Sequence, residues 1–338
     1  MQAMPMKLAS IDIGTNSTRL LIAEYKNGKF ITLARKMAIT RIGRNLDRTG
    51  EISGDSAEKT LEVLSGYKQL MEKEKVSKYK AIGTSALRQA SNSDWFLSYI
   101  YEKLGMQVEI VSGDREAYFS FTGAVRDVDI GSILCRVERF RNGKSCSRSE
   151  VSHKDRSCCE NVLVADVGGG SSEFILGSYS CSVILTESID IGCVRLTEKF
   201  INSNPPLIDD LNNMRVFIRK ELKNTVEKIK KNGFSFIIGL AGTITTLAAI
   251  DLNLREYNRE KIHHHILSLG KIKQIYKNLC SLNLQERKKV TGLEPERADV
   301  IIGGAAVVLE IMELLEETSI VVSENDILDG IIYSLANF

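Results

Sequence analysis

The order of apolar and polar positions along the chain predicts short strands and longer amphipathic helices in one repeated plan. β-Prone apolar runs alternate with stretches in which apolar residues recur at helical spacing among charges. Up to residue 125 the order is β-β-β-α-β-α-β-α. The strands are predicted at 6–13, 18–25, 29–39, 79–82 and 106–111, and the helices at 56–75, 92–104 and 114–125.

A similar order follows residue 161. Strands are predicted at 161–166, 172–177, 181–189, 234–240 and 319–322, and helices near 193–200, 207–231, 243–251, 271–281, 297–316 and 326–337. Such internal duplication predicts two related mixed α/β domains with facing loops around a ligand cleft. We assign residues 1–126 to the first domain, completed by the C-terminal helix 326–338, and residues 161–325 to the second.

The segment 127–160 between these domains is interpreted as a basic, cysteine-containing insertion or linker. Its part from residue 130 onward carries seven basic and four acidic residues. A basic loop near a cleft could guide a polyanion, but a solvated surface loop is the preferred interpretation.

The overall composition gives no reason to expect a nucleic-acid or membrane partner. The 338 residues carry a net charge of only +2, so any polyanion must meet a local cluster of cations. The apolar stretches are too short or too interrupted to span a bilayer, and the N-terminal residues do not resemble an export signal. Together with an odd count of seven cysteines, this predicts a cytoplasmic protein without a disulfide framework.

Two glycine-containing turns attract attention because each follows an apolar run that ends in an aspartate. Asp166 precedes Gly168, Gly169 and Gly170, whose backbone N–H groups can converge on an anion. The earlier stretch from Ala9 to Ala23 repeats the order of apolar run, aspartate, glycine and hydroxyl residues. An ordinary glycine turn is the alternative for either one alone, and the repetition favours a shared phosphate site.

Charged residues in or after turns at the ends of predicted strands have the chemistry of phosphate transfer. Asp12 and Asp166 are candidate ligands of Mg²⁺ or Mn²⁺, because hard cations prefer oxygen donors; turn initiation is the alternative role. Arg19 and Arg88 can bind phosphate oxygens through two parallel hydrogen bonds, or can form surface ion pairs. Glu116 opens a predicted helix and could deprotonate a water, or could simply match the helix dipole.

Other local patterns are set aside. Gly143-Lys144-Ser145 lacks the first glycine of a nucleotide-binding loop. The spacing of Cys135, Cys146, His153, Cys158 and Cys159 is not that of a structural zinc site. The three consecutive histidines 263–265 are predicted to begin a strand, which would send alternate rings to opposite faces.

Five motifs in order resemble the exopolyphosphatase and guanosine pentaphosphate phosphohydrolase family, which belongs to the actin, heat-shock ATPase and sugar kinase superfamily. The matching segments are Ile11-Asp-Ile-Gly-Thr-Asn-Ser17, Gly83-Thr-Ser-Ala-Leu-Arg88, Ser112-Gly113 with Glu116-Ala117, Asp166-Val-Gly-Gly-Gly-Ser-Ser-Glu173 and Ala241-Gly-Thr-Ile-Thr-Thr-Leu-Ala248. The resemblance extends from one end of the chain to the other.

This resemblance implies an α/β fold of two duplicated ribonuclease-H-like domains around a central cleft. It implies that Glu116 activates water against a terminal phosphoryl group, with Mg²⁺ or Mn²⁺ and the loops stabilising the charge. The expected phosphate-binding residues are Gly14, Thr15, Asn16, Ser17, Arg19, Thr84, Ser85, Arg88, Gly168, Gly169, Gly170, Ser171, Ser172, Gly242 and Thr243. A homodimer is expected on the same resemblance.

The expected activity is hydrolysis of terminal phosphate from inorganic polyphosphate. Guanosine pentaphosphate is the close alternative substrate, and an ATP-dependent small-molecule kinase or a non-catalytic phosphate sensor are more distant ones. Arg115 stands where the family often has a second acid, and we expect its charge to lower the pKa of Glu116 and to reduce its strength as a base.

Overall fold

Eleven strands and fourteen α-helices are present among the residues described by the computed structural model, which are 6–26, 29–126, 128–142, 161–180 and 182–336. The strands are β1 (Met6–Ile13), β2 (Ser17–Lys26), β3 (Lys29–Ile39), β4 (Lys78–Gly83), β5 (Val108–Ile110), β6 (Asn161–Val167), β7 (Ser172–Ser178), β8 (Val183–Ile189), β9 (Ile237–Leu240), β10 (Ile266–Ser268) and β11 (Ser319–Val322). The helices are α1 (Leu46–Thr49), α2 (Gly54–Lys73), α3 (Ser85–Gln89), α4 (Ser93–Leu104), α5 (Gly113–Val125), α6 (Ile130–Asn142), α7 (Cys193–Phe200), α8 (Ile208–Asn232), α9 (Ala241–Asp251), α10 (Arg259–Ile262), α11 (Leu269–Ser281), α12 (Leu284–Arg287), α13 (Ile301–Leu314) and α14 (Ile327–Leu335).

The chain divides into two compact units, one formed by Met1–Gly123 with Ile327–Phe338 and the other by Ala124–Asp326. The sheet of the first unit has the order β3-β2-β1-β4-β5. Strands β1 to β3 are antiparallel neighbours, whereas β4 and β5 run parallel to β1. Consequently β1, β4 and β5 end at one edge of the sheet, where the loops that follow them meet.

The second unit repeats this plan in its sheet, which has the order β10-β11-β9-β6-β7-β8. Strands β6, β7 and β8 are antiparallel, and β9 and β11 continue the sheet in parallel with β6. Strand β10 adds an antiparallel edge on β11. The duplication predicted from the sequence is therefore present in the strand order of the two units.

Each unit has an apolar core on its sheet. In the first unit, α14 packs its buried Leu328 and Ile331 with Leu8 and Leu21 of the sheet. In the second unit, α13 is almost wholly apolar and is buried from Ile301 to Met312, because other helices cover it on several sides. The loops after β1, β4 and β6 thus leave from strand ends that are buried.

Residues 130–142 form α6, although the sequence was interpreted there as insertion or linker. Ile133 and Val137, one helical turn apart, are 3% and 1% exposed and supply an apolar stripe that the high charge of the segment obscured. Cys146, His153, Cys158, Cys159 and Gly143-Lys144-Ser145 lie outside the described residues.

The predicted divergence of the three histidine rings is wrong. Strand β10 begins only at Ile266, and His264 has a left-handed φ of 63°, so the alternation of a strand does not apply. The rings of His263 and His264 stack with their centroids 3.7 Å apart. His265 instead hydrogen-bonds Asp251 at 2.8 Å.

No helix among the described residues has the length and apolar character needed to cross a membrane. Within the same residues, Cys135, Cys193 and Cys280 are free thiols.

Candidate active site

The loop after β1 is a tight turn that buries polar groups. Its closing hydrogen bond runs from Gly14 N to Ser17 O at 3.0 Å, and the carbonyl of Thr15 accepts from Gly43 N at 3.0 Å. Asn16 is only 6% exposed, and neither atom of its side-chain amide has a hydrogen-bond partner among the described residues. Because buried polar atoms are normally satisfied, Asn16 is suited to contact a ligand.

The loop after β4 lies beside this turn, since Ile13 and Gly83 are register partners at the ends of β1 and β4. Thr84 N donates to Ile13 O at 3.3 Å, and Ser85 then opens the short helix α3. Ser85 is 3% exposed, and its hydroxyl also lacks a partner within the described chain. The two predicted phosphate loops of this unit therefore meet and present buried, available polar atoms.

Glu116 lies in the first turn of α5 and is 9% exposed. Its Oε2 accepts a hydrogen bond from Arg88 Nη1 at 2.5 Å, and the same nitrogen donates to Val111 O at 2.9 Å. Arg88 lies in the last turn of α3, which follows β4. A side chain from the segment after β4 therefore holds the carboxylate of Glu116, which follows β5. The structure brings these two predicted site residues together.

Arg115 is directed to a different carboxylate. Its guanidinium lies 2.8 Å from Glu109 and is half exposed, and Lys80 holds the other oxygen of Glu109 at 2.6 Å. A hydrogen bond from Lys80 is the main cause that lowers the pKa of Glu109. The cation paired with Glu116 is therefore Arg88, and the expected action of Arg115 on Glu116 has no support from this geometry.

The buried Asp12 and the partly buried Arg19 form an ion pair across β1 and β2, where they are register partners. Both Nε and Nη2 of Arg19 donate to Asp12 Oδ2, at 2.9 and 2.6 Å. Tyr67 packs near Arg19, donates to Thr18 O at 2.9 Å, and has its pKa raised to about 12, chiefly by burial. The side chains of Asp12 and Arg19 thus bind each other in this state.

In the second unit, the glycine loop after β6 is held by the N terminus of α7. The carbonyl oxygens of Gly168, Gly169 and Gly170 accept hydrogen bonds of 2.9 to 3.3 Å from the backbone N–H groups of residues 192–195. In a trans peptide, C=O and N–H point in opposite directions. The N–H groups of Gly169, Gly170 and Ser171 consequently point away from α7, as an anion-binding turn requires.

Asp166 is 8% exposed and lies next to the end of β6, opposite Glu173 of β7. Directly opposed residues of antiparallel strands place their side chains on one face, so two carboxylates neighbour each other here. Ser188 donates to Glu173 Oε1 at 2.9 Å. The hydroxyl of Ser172, a predicted phosphate-binding residue, is fully buried and donates instead to Ile191 O at 3.0 Å.

The start of α9 carries the last two predicted phosphate-binding residues. A Cβ at Gly242 would lie 2.1 Å from Arg297 Nη1, so only glycine lets this guanidinium rest on the helix N terminus. Thr243 is 4% exposed and hydrogen-bonds the buried Cys193, whose pKa burial raises to about 11. A cation beside a positive helix end favours an anionic ligand, although Glu294 also accepts from Arg297 Nε at 2.7 Å.

Arg297 was not predicted as a site residue from the sequence. The signal in the sequence was Gly242, because a residue without a side chain at the start of a helix leaves space for a bulky neighbour. Only the folded chain shows that Arg297 reaches the start of α9.

The second unit offers the better oxygen donors for a divalent cation. Asp166 and Glu173 form a neighbouring carboxylate pair at a strand end, which suits a hard cation that keeps waters and substrate phosphates as further ligands. Asp12 fits less well, because Arg19 already neutralises its Oδ2. No group of three or more histidine, cysteine or acidic side chains in the described part of the chain is arranged as a metal cage.

Comparison with known proteins identifies the family. The Ppx/GppA phosphatase family model matches residues 21–134 and 152–337. Exopolyphosphatase 2 of Mycobacterium tuberculosis is 32% identical over 343 residues, which cover 98% of both chains. A bifunctional 3-dehydroquinate synthase/phosphatase of Fusobacterium nucleatum is 35% identical over 96% of this chain, which spans 46% of that longer protein.

Solved structures agree with the sequence relatives. The Aquifex aeolicus member of the Ppx/GppA family is 31% identical, covers 99% of this chain and 98% of its own, and superposes with a TM-score of 0.76. An exopolyphosphatase from Cytophaga hutchinsonii is 25% identical, with 98% coverage of both chains and a TM-score of 0.82. These neighbours confirm the predicted duplicated ribonuclease-H-like fold, and the chain belongs to the Ppx/GppA phosphatase family.

Proposed function

We propose that this protein is an exopolyphosphatase that releases orthophosphate from the end of inorganic polyphosphate. The supporting observation is the match to Exopolyphosphatase 2 of M. tuberculosis along 98% of both chains. The second candidate substrate is guanosine pentaphosphate. It is favoured by a Vibrio atlanticus guanosine-5'-triphosphate,3'-diphosphate pyrophosphatase, which is 25% identical over 98% of this chain but 60% of its own length.

In the proposed reaction, Glu116 accepts a proton from the attacking water while the new P–O bond forms and the bridging P–O bond breaks. Arg88 holds the carboxylate through Oε2 and fixes its direction. On the first unit, the side chains of Asn16 and Ser85 bind phosphate oxygens. On the second unit, the N–H groups of Gly169, Gly170 and Ser171 form a phosphate-binding turn of their own. Such prearranged donors stabilise the charge that develops in the transition state.

The proposed cofactor is Mg²⁺ or Mn²⁺, held by Asp166 with Glu173 beside it. When bound, the ion would neutralise phosphate charge and polarise the phosphoryl group. Arg19 and Asp12 have a different proposed role, in which the ion pair stiffens the turn after β1 against the adjacent strand.

Release of orthophosphate from polyphosphate and from guanosine pentaphosphate, at matched enzyme and terminal-group concentrations with Mg²⁺, tests the substrate. A higher kcat/KM for polyphosphate supports the proposal. A preference for the nucleotide by an order of magnitude or more would move the assignment to the second candidate, and no release from either compound would reject both.

The proposed setting is a cytoplasmic homodimer that binds neither nucleic acid nor membrane. Sedimentation equilibrium at micromolar concentrations tests the assembly. A single species of monomer mass at all concentrations would contradict the dimer.

A further inference from the structure

Arg287, at the end of α12 in the second unit, is a buried cation that the proposed reaction does not use. The residue is only 3% exposed. Neither Nε nor Nη1 of its guanidinium has a hydrogen-bond partner among the described residues. Its side chain forms no ion pair with any of them either.

The surroundings of Arg287 explain why this arrangement demands a ligand. Burial lowers the pKa of Arg287, opposed by the nearby Cys280 and Asp299. An arginine remains charged in proteins, so its desolvation must be offset by acceptors that satisfy its N–H groups. The two buried N–H donors of Arg287 that lack a partner can therefore donate hydrogen bonds to an anion.

The adjacent side chains on α11 also supply donors. Tyr276 and Cys280 are one helical turn apart. The Cys280 thiol hydrogen-bonds the Tyr276 hydroxyl and also interacts electrostatically with Arg287. The Tyr276 hydroxyl is buried and has no nitrogen or oxygen partner in the described chain. Burial is the first cause that raises the pKa of Cys280 to about 11, so its thiol keeps its proton at neutral pH.

Acidic side chains in this region are already engaged. Glu310 pairs with Arg215 and Arg219 of α8, and Glu313 pairs with the same two arginines. Neither carboxylate therefore serves Arg287. Asp299 acts on Arg287 through its charge but forms no ion pair with it. The cluster of Arg287, Cys280 and Tyr276, named here the α11–α12 cluster, presents the two open N–H donors of Arg287, next to a phenol that hydrogen-bonds the Cys280 sulfur.

We propose that the α11–α12 cluster is a second anion site, anchored by Arg287, that takes a small inorganic anion such as chloride or orthophosphate. The 3% exposure of Arg287 limits the ligand to a small ion. The site is separate in sequence from the phosphate loops of the proposed reaction. This proposal does not depend on whether the protein degrades polyphosphate.

Thermal unfolding in mixtures of potassium gluconate and potassium chloride at constant ionic strength tests the site, with a parallel series in potassium phosphate. A ligand that binds only the folded protein raises the midpoint with its concentration. We expect the chloride-dependent rise in the wild type, its loss in Arg287→Met, and its retention in Arg255→Met, which removes an exposed guanidinium. In phosphate, Arg287→Met should keep only the part of the rise that comes from the proposed phosphate loops. A midpoint that responds equally to both anions in the wild type and Arg287→Met, or a wild type without response, overturns the proposal.

Crystals of the wild type in sodium bromide give a second test that does not depend on the folding of a variant. Anomalous diffraction should show a bromide peak within hydrogen-bond distance of the Arg287 guanidinium. An ordered guanidinium with no such peak would exclude halide binding at this cluster, and a bound orthophosphate must then be seen there in phosphate-grown crystals for the proposal to stand.

Discussion

The cation that pairs with Glu116 is not its neighbour in the sequence. Arg115 precedes Glu116 directly, but successive helical residues point about 100° apart, so Arg115 reaches Glu109 and Arg88 reaches Glu116. The sequence supports Glu116 as a candidate base through its place after a strand. The identity of its cation follows only from the meeting of α3 with α5, which no local pattern encodes.

His264 gives a pH-dependent prediction at the residue scale. Burial, reinforced by Arg136, lowers the pKa of His264 below its ordinary value of 6.5. Below that value the unfolded chain takes up a proton that the folded protein resists, so stability is lost as the pH falls. Urea unfolding from pH 7.5 to pH 5.5 should therefore show a steeper loss in the wild type than in His264→Asn.

Asparagine is the appropriate replacement because it tolerates the left-handed φ of 63° at this position. Other titrating groups are the same in both proteins, and the difference between the two curves isolates His264. Parallel curves would contradict the lowered pKa.

The conformation of the proposed phosphate loop after β6 depends on a neighbouring helix, α7. The N terminus of α7 holds three successive carbonyl groups of the glycine loop, and the packing is so close that a Cβ at Gly192 would lie 2.2 Å from Gly169 C and O. The glycine loop was recognisable from its sequence. The supporting helix was predicted too, but its contact with the loop depends on the antiparallel return through β7 and β8.

Gly192→Ala tests this support. The φ of −84° suits alanine, so the substitution acts through the Cβ contact and not through backbone strain. We expect the displaced loop to raise KM for polyphosphate about tenfold or more, which corresponds to about 1.4 kcal/mol. Steady-state kinetics over a wide substrate range measure the effect.

Gly66→Ala is the matched control, because nothing lies within 4 Å of a Cβ in the middle of α2. It should leave KM unchanged and stabilise the protein by about 0.5–1 kcal/mol. An unchanged KM in folded Gly192→Ala would show that α7 does not position the loop.

The whole molecule is organised by the return of the chain to its first unit. After residue 326, α14 packs on β1 and β2, so the first unit is built from both ends of the chain. The helix and its apolar pattern were predictable from the sequence, and so was the repetition of one plan in the two units. The order of the strands within each sheet comes from the structure. The helix α6 was missed because its apolar stripe is narrow and its charges are many.

Ile331→Ala tests the dependence of the first unit on α14. Ile331 is fully buried against the sheet, so loss of its side chain should cost about 2–5 kcal/mol of unfolding free energy. Urea unfolding measures the change, with exposed Ser334→Ala on the same helix as the control, expected within about 0.5 kcal/mol. Equal stability of the two variants would contradict this account of the packing.

The central claim is that Glu116 activates water for attack on a terminal phosphoanhydride. Its most direct test compares kcat for orthophosphate release from polyphosphate by the wild type, Glu116→Gln and Asp114→Asn, which changes an exposed acid of the same helical turn. The account predicts a fall of about 10²–10⁴-fold for Glu116→Gln with polyphosphate binding retained, and wild-type turnover for Asp114→Asn. Turnover by Glu116→Gln within a few-fold of the wild type would contradict it.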